Sequence, residues 1–284
     1  MKNILVATDF SPEAHHAFEV AVQLAQLTGG QLTLLHVLED ADEPGGAFST
    51  VGGPVSGHSI DQIFTIKLME ATKRRMHALE AEAAEWAPGV PVQDVVEVAR
   101  VGEGILTAIE RYGADLVVVG ARGHGAMEHF FVSSTTERLI RLAPCPVLTV
   151  KHPQPAFKVQ NIVFPSDFSA EVAGALDGLR QVLAAFPGAT LHLLHVAAGA
   201  GDHVAEQQMQ DFARRHQLAH CLTAEIDANR TSVGIEEYAR RVAADVVVIP
   251  THVRSGLSHF LGTSIAETVA THAFPPVLTY HLAG

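Results

Sequence analysis

The sequence has few of the residues that mark secreted or membrane-spanning proteins. Only two of its 284 residues are cysteines, Cys145 and Cys221, too few for a disulfide framework and without partners at metal-ligand spacing. Both lie in apolar stretches, so we expect small core residues rather than reactive thiols. No apolar run approaches the length of a membrane span, and Met1-Lys2 leads straight into a short strand pattern rather than a signal peptide. These absences predict a soluble, cytoplasmic protein.

Positive charge is also scarce. The chain has 19 lysines and arginines against 31 aspartates and glutamates, a formal net charge of −12. A general nucleic-acid surface needs a basic stripe, so the charge balance argues against nucleic-acid partners. A bound phosphate group would have to be held locally, by backbone dipoles and a few cations, against an unfavourable overall field.

What the sequence does contain is a long internal repeat. Residues 3–11 (NILVATDFS) return 158 positions later as 161–169 (NIVFPSDFS), and residues 114–119 (ADLVVV) return 130 positions later as 244–249 (ADVVVI). This period is too long for a solenoid repeat, so each copy should be a domain with its own core. We therefore predict domains at 1–151 and 159–284, joined by a linker that begins His152-Pro153-Gln154-Pro155.

Apolar runs alternate with amphipathic stretches in both copies. Strands are predicted at 3–8, 31–37, 93–99, 115–120, 146–151, 160–165, 189–196, 221–226, 245–250 and 276–281. Helices are predicted at 12–28, 59–86, 102–113, 134–142, 170–185, 202–217, 232–242 and 264–272. Strands without polar alternation, separated by helices, indicate a parallel sheet buried on both faces. The fold class is therefore α/β, with two tandem five-stranded parallel-sheet sandwiches of Rossmann-like type.

The two copies differ by 28 residues between these repeated segments. We place the difference mainly between the second strand and the second helix, where the first copy carries residues 40–57 with two Gly-Gly pairs and two prolines. Loops this long are usually functional or disordered. Two interpretations of this segment remain: a lid over the first site, or a flexible insertion.

The candidate site lies where strands one and four end, because open parallel sheets bind ligands beyond the carboxyl ends of their strands. Strand one ends in Ala7-Thr8-Asp9, and strand four runs into the glycine-rich segment 120–125. Asp9 could bind a ligand or cap the following helix. The glycines would let backbone N–H groups approach a phosphate.

The helix after this segment strengthens the prediction of an anion site. Ser134 and Glu137 fit a Ser-x-x-Glu capping box, and Ser264 and Glu267 repeat it in the second copy. A hydroxyl-rich helix N-terminus that faces a glycine loop offers free N–H groups and the positive end of a dipole. Capping alone would explain Ser134 and Glu137, but it would not explain the glycines.

These features resemble the universal stress protein family in its tandem form. The resemblance rests on the Asp-Phe-Ser segments, on the Leu-His-Val that closes strand two in each copy, and on Ala143-Pro144-Cys145-Pro146 before strand five. ATP-binding members carry Gly-x2-Gly-x9-Gly-Ser/Thr, of which Gly120, Gly123 and Ser134 match while Ser133 replaces the third glycine. The resemblance implies an adenine nucleotide alpha hydrolase-like fold.

The resemblance also implies a ligand and its contacts. The ligand would be ATP, ADP or AMP. Apart from the resemblance, Asp9 could hold Mg²⁺ through water, which keeps slow nucleotide hydrolysis open. The implied contacts to adenine, ribose and phosphates are Ala7, Thr8, Asp9, Val37, Val119, Gly120, Arg122, Gly123, Ser133, Ser134, Thr135 and Thr136.

The second copy has lost most of the motif. Pro250 replaces Gly120, Val253 replaces Gly123 and Thr263 replaces Ser133, which leaves Ser264 alone. Proline removes an N–H donor and valine resists the backbone angles of a glycine loop, so nucleotide binding is expected in the first copy only. His129 and His259 are equivalent to each other, and both loop packing and an interdomain or dimer contact remain open for them.

Three functions remain after these arguments. The first is a stress-response regulatory protein that binds an adenine nucleotide in the first domain, and the second is a nucleotide-free scaffold. The third is a slow nucleotide hydrolase, although no nucleophile paired with a base, no Walker A loop and no two-metal carboxylate cluster is evident. The family pairs domains through the exposed fifth strand, which implies an intrachain pseudo-dimer through 146–151 and 276–281. A homodimer or an unknown protein partner stays open.

Overall fold

The computed structural model describes residues 1–39, 58–121, 134–168, 176–197, 203–251 and 263–281. Within these ranges the strands are β1 (Asn3–Ala7), β2 (Gln31–Leu38), β3 (Val92–Val98), β4 (Leu116–Gly120), β5 (Val147–Val150), β6 (Asn161–Pro165), β7 (Thr190–Ala197), β8 (Cys221–Asp227), β9 (Val246–Thr251) and β10 (Val277–His281). The helices are α1 (Pro12–Thr28), α2 (His58–Trp86), α3 (Val101–Arg111), α4 (Ser134–Leu142), α5 (Leu176–Ala185), α6 (His203–Arg215), α7 (Thr231–Arg241) and α8 (Thr263–His272). The predicted alternation of strands and helices is confirmed, while the predicted beginnings of α5 (170–175) and α6 (202) lie outside the described ranges.

All ten strands belong to one sheet, in the order β3-β2-β1-β4-β5-β10-β9-β6-β7-β8. The pairs within each half are parallel, as predicted. The halves meet at the centre, where β5 and β10 pair antiparallel with Leu148 opposite Leu278. Each half therefore contributes a five-stranded parallel sheet to one continuous structure.

Helices cover both faces of the sheet, which is why the strands are apolar without alternation. On one face a single buried cluster joins the two halves, with Phe18 of α1, Met76 of α2 and Phe212 of α6 among its members. On the other face α3 and α4 cover the first half, and α7 and α8 cover the second. No helix in the described ranges combines the length and the apolar character that crossing a bilayer requires.

The first helix begins and ends at residues suited to those positions. The Ser11 hydroxyl accepts the N–H of Ala14 at the N-cap, and Pro12 occupies the first turn. Gly29 ends the helix with φ 58°, the left-handed conformation that glycine adopts without strain. The predicted helix bounds of 12–28 are thus confirmed.

The length difference between the halves is not confined to the connection after the second strand. Helix α2 has 29 residues where α6 has 13, so a large part of the extra sequence extends a helix. This corrects the sequence-based placement. Residues 40–57 lie outside the described ranges, and their role as a lid stays a prediction.

Side chains also join the halves at the central strands. Arg141 of α4 donates to both carboxylate oxygens of Glu267 in α8, at 3.0 Å for Nη2 to Oε2. The sequence predicts that Glu267 completes a capping box with Ser264, whereas the structure directs its carboxylate to the other half. Local spacing could not show this, because Arg141 is 126 positions away.

Lys151 makes a second contact between the halves. Its side chain follows β5, is 4% exposed, and donates from Nζ to the carbonyl of Ala270 at 2.8 Å. It therefore satisfies a carbonyl in the last turn of α8. Burial lowers the pKa of Lys151 to about 8, although the nearby Glu236 carboxylate acts in the opposite direction.

Candidate functional site

A pocket of about 390 Å³ opens at the carboxyl ends of β1, β2 and β4. Strand β1 lies between β2 and β4 in the sheet, so the chain order reverses beside it. This is the topological position at which parallel sheets bind ligands, and the volume is in the range of small-molecule sites.

Hydrogen bonds and a contact between two rings hold the turn after β1. The Thr8 hydroxyl accepts the N–H of Phe10 at 3.0 Å, and the Asp9 carboxylate accepts the N–H of Ser11 at 2.9 Å. Phe10 has a positive φ of 64°, which costs a residue with a side chain about 1 to 2 kcal/mol. The turn is therefore held by its surroundings rather than by local preference.

The Phe10 ring contacts two other side chains. The His36 ring is 4.6 Å from it, centroid to centroid, and the Arg75 guanidinium carbon is 4.0 Å from its centroid. His36 Nδ1 is 2.7 Å from the Thr8 carbonyl oxygen. Burial lowers the pKa of His36, and Arg75 contributes in the same direction, so the neutral ring with a proton on Nδ1 fits this contact.

Asp9 therefore has a structural role as well as a candidate functional one. Ser11, not Asp9, is the N-cap of α1, and the Asp9 carboxylate orders the backbone just before it. The Asp9 side chain is exposed at the pocket. One oxygen can keep the turn while the carboxylate faces a ligand.

The pocket has apolar walls and a polar rim. Its apolar lining consists of Ala7, Ala14, Leu35, Val37, Val101, Ile105 and Val119. Its polar lining consists of Thr8, Asp9, Ser11, Glu13, Thr135 and Thr136. Such a surface suits a flat apolar ring system that carries hydroxyl groups.

Most of the sequence-predicted site residues lie together at this pocket. The lining includes Ala7, Thr8, Asp9, Val37, Val119, Gly120, Thr135 and Thr136. Ser134 begins α4, and its side chain is outside the described part. Arg122, Gly123 and Ser133 lie outside the described ranges, as do His129 and His259.

Several residues that line the pocket were not predicted from the sequence. Glu13 follows the Asp-Phe-Ser segment by two positions, so the repeat itself could have indicated it. Val101 and Ile105 are one turn apart on α3 and face the pocket as part of an apolar stripe. Only the packing of α3 against β2 shows that this stripe lines a cavity.

Gly120 has a packing role that the sequence did not reveal. A Cβ atom at this position would lie 2.5 Å from the backbone carbonyl of Glu13 and 2.6 Å from the Ala14 nitrogen. The described backbone thus explains this glycine by the close approach of α1, without a phosphate. Helix capping does not account for Gly120, as expected, and the close approach of α1 adds a packing reason for this glycine that the sequence did not indicate.

The second half repeats the turn but not the pocket chemistry. Phe168 has φ 53°, and its N–H donates to the Ser166 hydroxyl, as Phe10 does to Thr8. Pro250 is buried in β9 opposite Tyr280, and the Thr251 hydroxyl donates to the Tyr280 carbonyl. Val253 lies outside the described ranges. The polar groups at the end of β9 are therefore used within the fold.

The cysteines are half-buried beside apolar clusters. Burial raises the pKa of Cys145 to about 12 and that of Cys221 to about 11. Both side chains are protonated thiols at neutral pH, which agrees with a packing role.

Comparison with known proteins gives the same architecture. A universal stress protein of Thermus aquaticus is 35% identical over 153 residues, which cover 53% of this chain and 98% of the relative. The crystal structure of a universal stress protein from Archaeoglobus fulgidus covers 99% of this chain and 98% of its own, with TM-score 0.73 and 18% identity. A protein of unknown function from Pseudomonas aeruginosa PAO1 covers 99% and 93%, with TM-score 0.64 and 18% identity. At 18% identity the structural likenesses show the fold alone.

The family model adds the assignment that fold similarity cannot give. The model described as the universal stress protein family matches residues 1–151 and again residues 158–281. Since the two matches are consecutive and together span most of the sequence, the chain belongs to the universal stress protein family in its tandem two-domain form.

Proposed function

We propose that this protein is a stress-response binding protein that holds ATP or another adenine nucleotide in its N-terminal half. The C-terminal half would serve as its structural partner. The observation that carries the proposal is the pocket beside β1, where the order of the strands reverses. Eight of the twelve residues that the family resemblance implies line this pocket.

The described residues fit the nucleoside part of such a ligand. The side chains of Val37, Val101 and Ile105 offer apolar surface to a purine. The Thr8 hydroxyl and the Asp9 carboxylate offer hydrogen bonds to ribose hydroxyl groups. At the other side Thr135 and Thr136 belong to the first turn of α4, whose N-terminus favours an anion. These residues would bind and orient the nucleotide, and the regulatory signal would be whether the site is occupied.

A nucleotide-free scaffold is the second candidate, and two observations favour it. Gly120 is explained by its contact with α1, and β5 and β10 join the halves into one sheet. In that case the pocket would be a remnant and the function would lie in association with a partner.

Mass spectrometry of small molecules released from the purified, denatured protein distinguishes the two candidates. We expect an adenine nucleotide from the wild type and from Asp167→Asn, but much less from Asp9→Asn. The two aspartates are equivalent in the repeat, and asparagine retains an oxygen that can accept the N–H of residue 11. No nucleotide from the wild type, together with no binding on titration, would support the scaffold.

Adenine nucleotide should bind at one site per chain. Among the described residues, the first half has the pocket and Gly120 at the end of β4, whereas Pro250 occupies the equivalent position in β9. Isothermal titration calorimetry with ATP should therefore give a stoichiometry near one. Two equivalent sites would contradict the asymmetry between the halves.

Glu13 should weaken the binding of charged nucleotides. Glu13 and Asp9 are the two acidic residues among those that line the pocket, in a protein whose net charge is already −12. We expect Glu13→Gln to tighten ATP binding about fivefold in the presence of EDTA and to leave adenosine binding unchanged. Calorimetry with both ligands measures the difference. Weaker ATP binding in the variant would instead assign Glu13 a direct favourable contact.

A further inference from the structure

We propose that His77, Glu80 and Asp94 form a binding site for a divalent transition-metal ion on the surface of the N-terminal half. One ligand atom from each residue lies within 4.8 Å of the other two. His77 Nε2 and an Asp94 carboxylate oxygen are 4.0 Å apart. Two N or O ligands of one tetrahedral ion lie about 3.3 to 3.5 Å apart, so the ligand atoms have to approach each other by about 1 Å, which rotation of the exposed His77 side chain can supply.

Two packed elements position the three residues. His77 and Glu80 are three positions apart on α2 and therefore lie on one face of the helix. Asp94 is in the edge strand β3, opposite Leu34 of β2. Leu34 and Met76 of α2 belong to the same buried cluster, so this face of the sheet is the one that α2 covers. The residue after Met76 is thereby brought to Asp94.

The two carboxyl groups interact with each other at this position. Glu80 and Asp94 each place a carboxyl oxygen within 4.8 Å of the other. Two carboxylates this close repel each other, and a divalent cation bound between them would relieve that repulsion.

The donor set indicates the class of metal. One imidazole nitrogen with two carboxylate oxygens suits Zn²⁺, Co²⁺ or Mn²⁺ better than Ca²⁺, which prefers oxygen ligands alone. His77 is 65% exposed, so water can complete the coordination. In the described part of the second half Thr223 takes the place of Asp94 in the register of β8 against β7, so the three-residue cluster is not repeated there.

Metal binding would tie α2 to the edge strand of the sheet. An ion that binds only the folded state stabilises it in proportion to its concentration above Kd. The site lies on the face covered by α2, whereas the nucleotide pocket is lined from α3, so this proposal does not depend on the proposed nucleotide function.

Titration of the full-length, tag-free protein with Co²⁺ tests the proposal through the visible absorption of the bound ion, without nucleotide. We expect one saturable site in the wild type and at least tenfold weaker binding in His77→Gln and Asp94→Asn. His15→Gln is the matched control, because His15 contacts Glu82 at 2.9 Å and Glu19 at 3.8 Å without belonging to the cluster. Binding to this control should equal that of the wild type.

Thermal unfolding provides the second measurement. Zn²⁺ should raise the Tm of the wild type and of His15→Gln, and EDTA should abolish the rise. In EDTA, a cooperative transition in His77→Gln and Asp94→Asn shows that these variants remain folded. Affinity should fall as the pH is lowered, because protons compete for the same three groups. Absence of saturable Co²⁺ binding, or equal binding in wild type and cluster variants, would overturn the proposal.

Discussion

Replacement of Gly120 by alanine is expected to lower the free energy of unfolding by about 3 kcal/mol. The new Cβ atom would lie 2.5 Å from the carbonyl carbon and oxygen of Glu13. These are backbone atoms in the first turn of α1, so no side-chain rotation can make room. Either the helix or the end of β4 has to shift, and both line the pocket. Because these elements line the pocket, the Gly120→Ala variant should also bind nucleotide more weakly.

Two other glycines serve as controls for this substitution. A Cβ at Gly188 would have no heavy atom within 4 Å, and a Cβ at Gly102 would meet the flexible side chain of Arg138 at 2.8 Å. We expect Gly188→Ala and Gly102→Ala to change the unfolding free energy by less than about 1 kcal/mol. Urea denaturation of the three variants measures the series. Equally small changes in the unfolding free energy of all three variants would mean that α1 does not pack as closely against the end of β4 as the structure indicates.

The second large effect concerns the buried Lys151. Its pKa is lowered from 10.5 to about 8 in the folded protein, mainly by burial. Between these values the unfolded chain binds the proton and the folded protein releases it, so stability rises with pH. Below pH 8 both states are protonated and the full cost of the buried charge is present. Relative to Lys151→Met, the wild type should therefore gain about 3 kcal/mol between pH 8 and pH 10.5.

The comparison between the two proteins isolates this one lysine. Other basic groups and tyrosines titrate in the same range, but they are common to wild type and variant. Lys158 is exposed near the same linker, so Lys158→Met should unfold with the same pH dependence as the wild type. The measurement is urea denaturation at a series of pH values. A difference between wild type and Lys151→Met that stays constant with pH would show that Lys151 keeps its ordinary pKa.

Several features of the site were within reach of the sequence. The repeat of Asp-Phe-Ser marks the turn after β1 in both halves, and both copies adopt it with a positive φ at phenylalanine. Gly120 was predicted from the sequence as a residue whose backbone a phosphate approaches, and that role stays a prediction. The structure adds a second reason for glycine, because the backbone of α1 comes close to this position. A glycine in a sequence indicates that other atoms approach its backbone closely, but only the tertiary structure shows which atoms of the protein do so.

The sequence by itself determined the α/β class, the two copies and the position of nearly every helix and strand. It could do so because buried parallel strands and amphipathic helices have short periods that recur along the chain. The tertiary structure alone decided which distant residues meet. It brought Glu267 to Arg141, buried Lys151 against α8, and placed Asp94 beside His77 and Glu80. These contacts depend on how the two sheets join and how the helices pack on them, and the spacing of residues within one helix or strand does not determine either.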